Sequence, residues 1–293
     1  LEDNTTGTQN TAVGKGALAN NTTAGQNTAI GREALFTNTT GADNVAVGSA
    51  ALYTNNGAQN TAIGRNALLS NTTGAGNVAT GYDALRANTT SDDNTAVGYQ
   101  SLVANTTGAS NVGIGRSALL ANTTGANNVA MGRDALAANT TAVSNVAVGH
   151  DAMATNTTGA YNVAMGDIAL RDNLDTNYNV AIGHNTLTVA TAADNTAMGV
   201  SALDHNSTGA NNVAIGRNAG NAITSGSFNV ILGSGADSAD VTSNYTNAFG
   251  YNIVGGAGYT TIGESTSDIR AAHGNVTWAT VSDERYKKDI VDS

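Results

Sequence analysis

Tyr82 and Tyr99 stand seventeen residues apart, and so do Tyr161 and Tyr178. The first two each follow a Gly, whereas Tyr161, Tyr178 and Phe228 each precede an Asn. Aromatic rings held at a fixed interval can bind sugar rings through their faces, or they can cover one another. The column that follows Gly continues through Arg116, Arg133, His150, Asp167 and His184. If successive members lie one strand spacing apart, His150 and His184 are about 10 Å from each other, too far to share a directly bound metal ion. A solvated charge ladder is expected there, with no metal and no other cofactor. No Ser has a His and an acidic partner fixed by the pattern. The sparse Asp and Glu form no recurrent pair of the kind glycosidases use, and the calcium-binding nonapeptide is absent. Tyr82, Tyr99, Tyr161, Tyr178 and Phe228 are therefore candidate ligand-binding residues in a chain that is not expected to be an enzyme.

What positions these columns is a repeat. Units begin at Asn10, Asn27, Asn44, Asn60, Asn77, Asn94, Asn111, Asn128, Asn145, Asn162, Asn179, Asn195, Asn212 and Asn229, and share N-[VT]-A-[IVM]-G-x-x-A-L-x-x-N-T-T-G-A-x. The units from Asn44 and Asn179 are one residue short. In the first, "YTNNGAQ" puts the loss in the Thr-Gly segment, which reads as a loop, where length changes are tolerated.

Seventeen residues are too few for two helices and a turn, and "VAVG" alternates with the period of a strand. Each unit is predicted to form one coil of a parallel β-solenoid, so the fold class is all-β. Gly48 and its equivalents supply one corner and Asn-Thr-Thr-Gly another. Stacking places each repeated residue about 4.8 Å above its predecessor and turns the two Asn columns into ladders. Alternation puts Val45 and Val47 on one face and Ala46 and Gly48 on the other. Val45, Val47 and Leu52 are expected to fill the interior. Three large apolar residues are few for seventeen ordered ones, so the small-residue face is expected to be buried against other chains, in a trimer.

Composition supports this reading and narrows the function. There is no Pro, which suits coils that must all donate backbone hydrogen bonds. There is no Cys, hence no disulfide framework and no thiolate zinc site. Three Phe and one Trp do not build a wide core. A net charge of -10 opposes a phosphate-binding surface, so nucleic acid is not expected as a partner. No run is long and apolar enough for membrane insertion. The opening "NTTGTQ" reads as the second half of a repeat, so the chain is expected to be part of a longer one.

The units "NTAIG", "NVAVG" and "NVAMG" resemble the head repeats of trimeric autotransporter adhesins and related repeats of phage tail fibres, over roughly residues 4–263. The resemblance implies a left-handed parallel β-roll, three chains side by side as a homotrimer, and surface attachment. The unit here is longer than in those heads, by the Asn-Thr-Thr-Gly arm.

At Ser282 the composition changes: the last twelve residues carry seven charges. "SDERYKKDI" resembles the opening of the endosialidase-type intramolecular chaperone, a C-terminal domain that helps three fibre chains trimerise and then cuts itself off. The resemblance implies that Ser282 marks the cut and Lys287 is its partner, inactive here because only a dozen residues of that domain remain. The expected organisation is a repeat solenoid at 1–245, degenerate repeats and a connector at 246–281, and a chaperone stump at 282–293.

The leading expectation is a structural and receptor-binding segment of a phage tail fibre in the virion, attaching to a bacterial surface glycan or protein. The alternatives are a trimeric adhesin head on the bacterial surface, an ice-binding solenoid presenting an Asn/Thr array, and a tailspike depolymerase.

Overall fold

The computed structural model describes residues 2–274 and the strand at 279–280. It divides into two compact units, Leu1–Asn162 and Val163–Ser293. Among the described residues there is no helix, and each unit is a parallel β-solenoid, as the repeat predicts. Ser282 and Lys287 lie outside the described residues.

In the first unit nine three-residue strands run from Thr11–Val13 to Val146–Val148 among the described residues. Within the unit neighbouring strands pair in parallel, residue for residue: Thr11 with Thr28, Ala12 with Ala29, Val13 with Ile30, and so on to Val129 with Val146. The rungs continue past the strands. Leu35 N–H donates to the Ala51 carbonyl at 3.0 Å and Thr37 N–H to that of Tyr53 at 3.0 Å, so the remaining sides of a coil are also held to the next. The second unit stacks parallel strands from Val163–Met165 to Tyr259–Glu264. Parallel stacking stops there, because Ser267–Ala272 folds back antiparallel on Tyr259–Glu264 and is itself paired with Ala279–Thr280.

The inside and the outside are the reverse of the expected arrangement. Ala29, Ala46, Ala62, Ala79 and Ala96 are completely buried within one chain, together with the Leu35, Leu52 and Leu68 column. Val45 faces solvent, and Val13, Ile30, Ile63, Val97 and Met131 are 36% to 57% exposed. Of the residues assigned to the interior, only Leu52 is buried there; the Ala face is core and not a contact between chains. The physical reason is the leading Asn. A strand has period two, so Asn44 and Ala46 share a face, and the Asn amide has partners only inside the coil. That interior is narrow, and Ala is what fits between the strand and the facing Leu.

Both Asn columns are buried ladders. Asn27 and Asn38, at opposite ends of one coil, each donate Nδ2–H to the same carbonyl, that of Gly41, at 2.9 Å. Asn27 Oδ1 accepts the backbone N–H of Asn44, which leads the next coil, at 3.0 Å. The short coil keeps this clamp. Asn44 and Asn55 both reach the Gly57 carbonyl at 2.9 Å, with Asn55 only two residues before Gly57, so the missing residue falls in the loop as read from "YTNNGAQ".

Corners need backbone that most residues avoid. Gly31 has φ of 140°, and a Cβ there would meet the Gly48 oxygen at 2.4 Å, which excludes any other residue. Left-handed conformations also occur at Glu33, Leu35 and Asp43, with φ of 59°, 50° and 59°. A recurrent left-handed Leu is not foreseen from composition. It is held because its side chain is fully enclosed.

Asn111 accepts the Asn128 N–H at 3.0 Å and donates to the Gly125 carbonyl at 2.8 Å. Asn111→Ala strands that N–H in the interior and is expected to cost about 2–3 kcal/mol. Thr124→Ala, at an exposed position, stays within about 0.5 kcal/mol. Denaturation followed by circular dichroism compares the two.

Candidate functional site

The Gly corner swings the next residue off the sheet and into solvent. In the first unit that column reads Lys15, Arg32, Ser49, Arg65, Tyr82, Tyr99, Arg116, Arg133, His150. Tyr82 and Tyr99 stack with centroids 5.4 Å apart and planes 9° from parallel. The Arg65 guanidinium lies 5.8 Å from the Tyr82 centroid and the Arg116 guanidinium 6.0 Å from that of Tyr99. The two rings cover each other on their inner faces and the arginines cover the outer ones. Tyr82 and Tyr99 are 39% and 48% exposed.

Phe228, in the column before the leading Asn, stacks on Tyr245 at 5.2 Å with planes 5° apart. Tyr161 closes the first unit and Tyr178 lies in the second, each about half exposed. Tyr161, Tyr178 and Phe228 all have φ near 60°. Sequence reasoning missed Tyr245, because its coil opens with Thr246 in place of Asn. It also missed Phe36 stacked on Tyr53 at 5.2 Å, which occupies a third variable column after Leu. A ring recurring at the repeat interval is the signal that finds both.

The charged members pair locally. His184 Nδ1 is 3.2 Å from Asp167, and His150 Nε2 is 3.2 Å from Asp151 and also contacts Arg133. No group of three or more His, Asp or Glu among the described residues is arranged to hold a metal ion. Among the described residues there is no pocket, and no helix is long and apolar enough to cross a membrane. The fold divides the members of the Asn/Thr array between interior and surface. The Asn members are buried, and the first Thr of each arm spends its hydroxyl on the next coil, as Thr72 does on the Thr89 carbonyl at 2.8 Å. One outward Thr column remains, exemplified by Thr73 and Thr90.

The broadest feature of the surface is the outward strand face itself. In the first unit its two columns hold only Thr and Val on one side, and Val, Ile, Thr and Met on the other, with no charge over nine rungs. At ladder spacing that is an uncharged stripe on the order of 300 Å², comparable to the largest apolar patch of a typical monomer, which is often functional.

One carboxyl in the second unit is perturbed. Burial pushes the Asp237 pKa above its ordinary 3.8, opposed by hydrogen bonds from the Ala222 and Ser238 N–H groups and by the nearby His205. No family model, curated protein or solved structure matches the chain.

A folded pKa above the unfolded one means that Asp237 contributes most when protonated, below its unfolded value, and that this contribution is lost as pH rises through the folded value. Asp237→Asn cannot titrate. The melting temperature of the variant relative to wild type is therefore expected to be more favourable at about pH 7 than at about pH 3; calorimetry at both values checks this.

Proposed function

We propose that the chain is a structural and receptor-binding segment of a phage tail fibre, working in the virion by attachment to a bacterial surface glycan. One observation carries most of the weight: coils hydrogen-bonded to one another on every side present outward columns that change from coil to coil far more freely than the interior does. Such a surface suits recognition without catalysis, since no carboxylate pair faces any cleft among the described residues. The phage setting rests on the resemblance of the repeats and of "SDERYKKDI" to fibre sequences.

The same reading makes the segment a homotrimer, with copies meeting through the outward Thr/Val and Ile/Val/Met columns. A stripe whose features recur at about 4.8 Å is matched rung for rung only by a surface of the same period. Another copy of this chain carries one, and it is uncharged.

Two measurements test these points. Mixed with host cells or arrayed glycans, the purified segment is expected to bind without releasing reducing sugar ends; release abolished by mutating an acidic residue would make it a depolymerase. In sedimentation it is expected to have the mass of three chains. Ile30→Ser combined with Ile63→Ser should move that mass toward one chain with the circular dichroism spectrum unchanged. Ala46→Leu should instead lower stability by about 1–3 kcal/mol through overpacking the coil. If the serine variant keeps its mass, the stripe is not where copies meet.

A further inference from the structure

The column running Arg65, Tyr82, Tyr99, Arg116 has a composition unlike the rest of the acidic chain. Over these four rungs and the next, Arg133, it holds only cations and phenols. Neither Arg65 nor Arg116 makes an ion pair among the described residues. The neighbouring carboxylate, Asp83, is buried and accepts the Asn66 amide at 2.9 Å, and Asp134 is taken by Arg133 at 3.4 Å. The Arg65 and Arg116 guanidinium carbons lie 5.8 Å and 6.0 Å over the ring centroids, and with no carboxylate taken their N–H groups are available to an anion.

The covered ring faces decide among ligands. Neutral sugars dock on aromatic faces, and nucleic-acid bases stack on them. Here both faces of both rings are occupied, so that platform is gone. The exposed groups that remain are hydrogen-bond donors, two of them charged, at the ends of a line of about 14 Å by ladder spacing. A line of donors that long suits anions repeated along a chain better than one small ion.

We propose that this column is a receptor-reading site and that its ligand is an anionic glycan, whose carboxylates or phosphates lie along the stack and take paired N–H donors from Arg65 and Arg116 with the Tyr82 and Tyr99 hydroxyls between them. This rests on the glycan-receptor reading above and names its chemical class.

The test is biolayer interferometry on the purified chain with four probes: a polyuronate, a phosphodiester-linked polysaccharide, a neutral dextran and single-stranded DNA. Binding to one or both anionic glycans is expected, weakened at high salt, and which of the two binds separates the carboxylate from the phosphate source. Arg65→Gln with Arg116→Gln is expected to lose about tenfold or more in affinity, with an unchanged spectrum and unchanged mass. Arg86→Gln, an exposed cation outside the column, is expected to match wild type. DNA bound as tightly as the glycans, or a double variant that binds them normally, overturns the proposal. Host-cell binding that persists in the double variant overturns this site while leaving the receptor reading intact. No binding to cells or to any glycan sinks both.

Discussion

The fold depends on a carbonyl that, in most coils of the first unit, accepts two buried amides. Asn27 and Asn38 belong to the same coil, eleven residues apart in sequence, and both donate to the Gly41 oxygen. That junction closes the coil without a large side chain. The other end of the Asn27 amide then accepts the N–H of Asn44, so the element that closes one coil also fixes the height of the next. A buried amide left without partners costs more than a satisfied one returns, so each Asn is tolerable only if its neighbours are also in place. The repeat is faithful because the ladder penalises any single lapse.

Where the pattern does lapse, volume or hydrogen bonding is restored nearby. Gly113 stands at an Ala position, and the space its Cβ would fill is taken by Ser101, whose hydroxyl also donates to the Gly113 carbonyl at 2.8 Å. Gly220 replaces the interior Leu, while Ile223 replaces the second Asn of that coil and is fully buried. A Cβ on Gly220 would meet Leu203 at 2.9 Å, so the paired change shifts bulk across the interior without enlarging it. At Gly220 and Ile223 the coil exchanges a hydrogen-bonded clamp for apolar filling. This is the arrangement expected when interior volume is held constant.

This also explains what the sequence discloses and what it withholds. The strands, their parallel register, the Asn ladders and the site of the missing residue at Asn55–Gly57 all follow from periodicity, because a solenoid turns sequence period directly into spatial stacking. The facing of "NVAVG" does not follow. Alternation is symmetric between Val45 and Ala46, and hydrophobicity alone favours the wrong side. Only the hydrogen-bonding demand of Asn44, two residues from Ala46, breaks that symmetry. The candidate columns were legible as columns for the same reason, but the capping of Tyr82 and Tyr99 by arginines from adjacent coils depends on side-chain reach, which spacing does not encode.

The inverted facing changes how such a protein divides its labour. A coil with Val and Ile inside would leave a surface of small residues with little to offer a partner. With Asn, Ala and Leu inside, hydrogen bonding supplies order that the sparse apolar core does not, and the larger apolar side chains are left on the outer strand face. Beyond the Gly corner, residues such as Arg65, Tyr82 and Arg116 bear on neither the clamp nor the core, so they change at little cost to stability. Rigid spacing with unconstrained identity is what a recognition surface requires, and here both come from the same Asn ladder.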